Sequence, residues 1–274
     1  MFDDLIQILS RDYIRFAFIV GITMAISLAL LGVSLVLKKH SMIGDGLSHV
    51  GFGAVAIAAC AGIAPLAIAI PIVIISSIFI LLLAEKSKIF GDSAIAIFST
   101  LALAIGYAAI ELSDGVNFSI SSYLYGSLLG VSLVEVILSI IIAIIVIITF
   151  ILLYNKIFSV TFDDTMSRST GLKTNMINVI ISILTSLTVV IGMKVMGALL
   201  ITSLIIFPTL SSRQIFKTYK SVIIFSVIYS ISSFVIGMLL SCLIMNLRIG
   251  SSIVFTNFII FVICFIIGKI IKRK

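Results

Sequence analysis

The sequence predicts an all-α integral membrane protein, a polytopic helical bundle of about nine transmembrane helices, with eight as the neighbouring count. Three observations carry this. Hydrophobic residues make up 61% of the 274 positions against 11% charged, and the mean hydropathy is +1.37, far above the apolar share of soluble domains. Apolar runs of about 20 residues recur along the whole chain, each long enough to cross a hydrocarbon core of about 30 Å as a helix. Lys and Arg fall in alternate connections between these runs, as they do in cytoplasmic loops.

Taken in order, the apolar runs predict helices near 13–37, 46–63, 66–84, 93–112, 132–154, 175–192, 195–211, 219–245 and 251–271. Lys38 and Lys39 follow the first, Lys86 and Lys88 the third, Lys156, Arg168 and Lys173 the fifth, and Arg213, Lys217 and Lys220 the seventh. The opposite connections are short or acidic: Ala64-Pro65, the stretch holding Glu111 and Asp114, a brief turn around Lys194, and Asn246 to Gly250 with Arg248. This bias places the carboxyl terminus inside and, with nine helices, the amino terminus outside. A re-entrant second segment makes the count eight and reverses that end.

The chain is predicted to be one permease domain over 1–274, with a short interfacial segment at 1–12 and one longer cytoplasmic loop at about 155–175. Asp3 and Asp4 stand where a cleaved signal peptide has a basic region, so the first helix serves as its own insertion signal. The external stretch from Ser113 to Gly130 carries Tyr123, Leu124, Tyr125, Leu128 and Leu129, which suit a short interfacial helix. The net charge of +7 is spread over loops and a terminal cluster, Lys269, Lys272, Arg273 and Lys274, with no aromatic interleaving, which excludes a nucleic-acid surface. Cys60, Cys242 and Cys264 lie singly in apolar stretches and read as small buried residues.

Chemistry concentrates in Gly44-Asp45-Gly46-Leu47-Ser48-His49, at the start of the second helix. Asp45 and His49 are four apart; on one helix face their Cβ atoms lie about 5–6 Å from each other. A carboxylate oxygen and an imidazole nitrogen so placed can bind one borderline metal ion. The spacing alone leaves open the structural reading, Asp45 as a helix cap and His49 as a partner for a backbone carbonyl. Gly51, Gly53, Ala54, Ala56, Ala58, Ala59, Ala61 and Gly62 follow. They are small enough to let neighbouring helices approach closely, which puts this helix inside the bundle.

A second feature is Met196 to Pro208, with hydroxyls at Thr202 and Ser203 and a proline that removes a backbone donor and favours a kink. In a third, Phe162-Asp163-Asp164-Thr165-Met166-Ser167-Arg168-Ser169-Thr170-Gly171, the acids stand first, Arg168 follows and Gly171 ends the run. That order suits a short surface helix, and a solvated loop has a similar composition. No GxxxxGK[ST] phosphate loop occurs, so any ATP that drives the protein is bound by another subunit.

These stretches resemble one family. GDGLSHVGFGAVAIA is similar to the GDALSH signature of the zinc/manganese/iron ABC-importer permeases, and Val195 to Arg213 to their later Gly-Ala-Leu-Leu helix ending in proline. FDDTMSRSTGL resembles the loop that docks on the ATPase in that family, and RIGSSIVFTN the segment before its last helix. Gly46 stands where better-known members have Ala, and the proline often found after the signature is missing. The resemblance implies a homodimer in a bacterial inner membrane, a pair of cytoplasmic ATPases that carry the ATP, and an extracytoplasmic binding protein that delivers zinc or manganese. It also implies that Asp45 and His49 contact the cation, and that Phe162, Asp163, Asp164, Arg168 and Gly171 belong to the docking loop. External docking is expected near Glu111 and Asp114. The rival is a secondary transporter that couples its substrate to protons through Asp45 and His49.

Overall fold

The computed structural model describes residues 11–86, 91–113, 126, 128–243 and 248–271. Among these, all regular structure is helical. The helices are α1 (Asp12–Leu37), α2 (Ile43–Cys60), α3 (Pro65–Lys86), α4 (Gly91–Glu111), α5 (Leu133–Leu152), α6 (Tyr154–Phe162), α7 (Asp164–Ser169), α8 (Thr174–Met196), α9 (Ala198–Ile215), α10 (Tyr219–Leu243) and α11 (Ile249–Ile271), with one 3-10 turn at Leu128–Gly130. Nine of them, all but α6 and α7, are long and apolar enough to span a membrane. α2, at 18 residues, extends about 27 Å by helical rise, enough to cross the hydrocarbon core without re-entering.

Burial sorts the helices into an inner and an outer set. Every α1 residue from Ser27 to Val36 is buried, and α2 and α8 are mostly buried too. A helix apolar and buried all round belongs in the middle of a bundle. α3, α4, α5 and α11 instead expose large side chains such as Ile75, Ile97, Ile141 and Phe255, which hydrocarbon tails can cover. α2 packs most extensively on α4, then on α3, α8 and α9, while α9 also meets α1, α10 and α11. The α2–α4 contact is backbone on backbone. A Cβ on Gly53 would fall 2.5 Å from the Ala102 carbonyl oxygen, and one on Gly106 would fall 2.9 Å from Gly53 Cα. Without hydrophobic pressure between helices in lipid, such small-residue contact is what holds two spans together. Inside the bundle, hydroxyls bond back to their own helix: Thr185, Ser186 and Thr188 each donate to the carbonyl four residues earlier at 2.7 Å, which satisfies these three donors away from water.

The loops sort by end. Lys38, the C-cap of α1, donates to Asn178 of α8, Arg168 to Thr174, and Phe158 and Phe162 meet Tyr219. One end of the bundle therefore gathers Lys38, Lys156, Arg168, Lys173, Lys217 and Lys220, in accord with the predicted basic side. At the other end Cys60 Sγ lies 3.3 Å from the Ala109 carbonyl, and Lys194 meets Glu135.

Several boundaries differ from the sequence expectation, each for a physical reason. α2 begins at Ile43, before the glycines read as a helix start, because Gly44 and Gly46 are packing residues: their absent side chains make room for Ile205 and Ile95. The turn expected around Lys194 is helix; α8 runs to Met196, and only Gly197 separates it from α9. Gly197 has φ 85° and ψ 157°, a conformation essentially confined to glycine, so the chain reverses without a polar loop. The fifth predicted span ends at Leu152 and gives way to the separate helix α6. Residues 1–10, Lys88, most of the expected interfacial helix within 113–130, Asn246 and the terminal Lys272, Arg273 and Lys274 lie outside the described residues.

Candidate metal site and docking face

Asp45 belongs to the first turn of α2, whose N-cap is Met42 and has no side-chain cap bond. The carboxylate is therefore inside the helix, and it turns to the next turn of the same face. Asp45 Oδ2 stands 3.5 Å from His49 Nε2, with side-chain exposures of 33% and 23%. With metal–ligand bonds of about 2.1 Å, a 3.5 Å ligand separation corresponds to an angle of about 113° at the ion, close to tetrahedral. Among the described residues no third His, Cys, Asp or Glu joins the pair, so one chain offers two ligands.

The pair lies in the first two turns of α2, packed among three other spans. Gly44 is covered by Ile205 and Ile201 of α9, and Gly51 by Met193 of α8 and Val73 of α3. Ile205 precedes the α9 end at Ile215 by ten residues, about 15 Å of helical rise, and Val73 follows the α3 start at Pro65 by eight, about 12 Å. On the α2 surface Asp45, His49, Phe52 and Ala56 form one stripe. Phe52 and Ala56 are buried, with the Phe52 ring 5.4 Å from that of Tyr107. The two ionisable residues are the open part of that stripe. Ionisable groups on a membrane span usually face protein or a water-filled path.

The hydroxyls of α9 are engaged elsewhere. Thr202 donates to the Ala198 carbonyl at 2.9 Å; Ser203 donates to Leu200 at 2.8 Å and accepts from Asn257 of α11 at 3.3 Å. Pro208 lies inside α9, and its carbonyl accepts from Ser212 and from Ser226 of α10 at 2.8 and 3.2 Å. The structure thus joins Ser203 and Pro208 to the α10–α11 side of α9, and brings only Asp45 and His49 together.

At the basic end, Asp163 caps α7 by accepting the Met166 N–H at 2.9 Å. Arg168 bonds Asp164 Oδ2 through Nη2 at 2.8 Å and reaches Thr174 Oγ1 through Nε at 2.9 Å. Gly171, φ +84°, lets the chain turn into α8. These polar locks hold up an apolar face: Phe162 is 61% and Met166 66% exposed, and both lie between the spans. Glu111 is exposed at the end of α4; Asp114 lies outside the described residues.

One charged pair escaped the sequence reading, Glu135 with Lys194 at 2.6 Å. Half of its signal was present, since Ser132-xx-Glu135 before an apolar run is a capping-box pattern and the structure forms that box.

Residues 10–268 match the family described as the ABC 3 transport family. The chain belongs to that family. It is a metal-uptake permease of ABC type and a multi-pass bacterial membrane protein. This ABC 3 permease is 31% identical over 260 residues to a probable metal transport system membrane protein of Thermotoga maritima, covering 95% of this chain and 90% of that one. It is 29% identical over 247 residues to the high-affinity zinc uptake system membrane protein ZnuB of Haemophilus influenzae, covering 90% and 94%. With the manganese import system permease protein ScaB of Streptococcus gordonii it shares 27% identity, covering 96% and 95%. The fold matches the solved structure of PsaBC from Streptococcus pneumoniae in complex with Fab, with a TM-score of 0.83, 24% identity, and 97% and 95% of the two chains covered.

Proposed function

We propose that this permease passes divalent transition-metal ions, zinc foremost and manganese or iron after it, through a path lined by Asp45 and His49 as the membrane subunit of an ATP-driven importer. The observation that carries the reading is the Asp45–His49 pair, 3.5 Å apart and partly open, in the first two turns of a small-residue helix. A mixed oxygen and nitrogen pair suits zinc among the borderline metals. Two ligands per chain hold an ion weakly enough to let it go, as a pathway requires. A second copy of the chain facing the open stripe doubles the ligand set and removes the ionisable groups from lipid, which favours a homodimer.

In this reading a binding protein releases the ion at the end bearing Glu111. The ion loses water to the carboxylate and imidazole and leaves toward the basic end. The energy comes from an ATPase pair seated on Phe162 and Met166, with Asp163, Asp164, Arg168 and Gly171 shaping the seat.

The test is uptake into vesicles holding this chain with its ATPase and binding protein, zinc and manganese measured side by side. Asp45→Ala and His49→Ala are expected to abolish uptake while the complex still assembles. Full uptake in both variants rejects the pathway role. Uptake by the chain alone along a proton gradient replaces the importer with a proton-coupled carrier.

A further inference from the structure

Glu135 and Lys194, which the metal path leaves unused, meet at the end of the bundle away from the basic loops. Glu135 Oε1 lies 2.6 Å from Lys194 Nζ, in the last turn of α8. The other oxygen of the same carboxylate accepts the Ser132 N–H at 2.8 Å, closing the capping box that starts α5. One carboxylate therefore ties the segment entering α5 to the tip of the α8–α9 hairpin. Gly126 presses on the same tip: at φ +71°, an added Cβ there would lie 2.3 Å from the Met196 carbonyl carbon and 2.5 Å from the Gly197 nitrogen.

From this tip two short routes lead to the metal pair. Met193, next to Lys194, covers Gly51 two residues after His49, where a Cβ would come 2.8 Å from Met193 Cε. Past Gly197, Ile205 and Ile201 cover Gly44, one residue before Asp45. Gly192 against Ile201 keeps the two arms of the hairpin together. The hairpin thus grips α2 on both sides of the pair.

We propose that the Glu135–Lys194 ion pair is a positioning device for the Asp45–His49 site: it pins the α8–α9 hairpin to the entry of α5 and, through Met193, Ile201 and Ile205, fixes where α2 presents its two ligands. The inference rests on the metal-site reading. Residues that orient metal ligands without touching the metal commonly change affinity about 10–100-fold when lost.

The test uses the full chain in lipid nanodiscs with cobalt(II) as the probe, read by the visible absorption of a His- and carboxylate-bound ion. Wild type is compared with His49→Ala, Glu135→Gln, Lys194→Met, Lys194→Arg and the double Glu135→Gln/Lys194→Met, each checked for an unchanged elution volume. His49→Ala is expected to abolish the band. Each neutralised variant and the double are expected to bind cobalt about tenfold more weakly, with Lys194→Arg close to wild type. Should the double recover wild-type affinity, the single variants suffered only from an unpaired charge and the positioning role is wrong. Wild-type affinity in the neutralised variants, with the band lost in His49→Ala, also overturns it and leaves the metal site standing. A band unchanged in His49→Ala removes the metal site itself, and this inference with it.

Discussion

A single imidazole sets the conditions under which the proposed path holds its ion. A metal needs the imidazole lone pair, so zinc binding by the purified chain is expected to be lost in His49→Ala, read by titration calorimetry. The pair was legible in the sequence because a four-residue spacing needs only a helix to become a contact. The sequence left the capping alternative open, and Met42 at the N-cap position decides against it. Glu135 and Lys194 were not legible as partners. They lie on helices far apart in sequence, and only the fold brings them within 2.6 Å.

At the scale of elements, hydropathy located every span and misjudged its ends wherever glycine was doing packing work. The second span was expected from about 46 and begins at Ile43, with Gly44 and Gly46 admitting Ile205 and Ile95 against α2. Between α8 and α9 the polar signal, Lys194, lies inside α8, and Gly197 alone makes the reversal at φ 85°. A side chain there is strained whatever the surrounding space. Gly197→Ala is expected to destabilise the bundle by about 1–3 kcal/mol, seen as a lower thermal midpoint of the purified chain in detergent. An unchanged midpoint would mean that the reversal tolerates an ordinary residue. The end of the fifth span was placed within two residues, and what went unread is α6, whose Tyr154 and Phe158 pack on Tyr219 and not along a span.

For the whole molecule, the inner helices α1, α2 and α8 form a scaffold, and the proposed chemistry lies on its open stripe and at its basic end. If Phe162 and Met166 seat the ATPase, then Phe162→Asp with Met166→Asp is expected to cost most of the co-purifying ATPase while the permease elutes normally; undiminished recovery would send the search for the seat elsewhere. The one-residue reversal at Gly197 also bears on how the protein is made. A connection of one residue leaves α8 and α9 no slack with which to settle separately, so their insertion into the bilayer as a pair is the expected order.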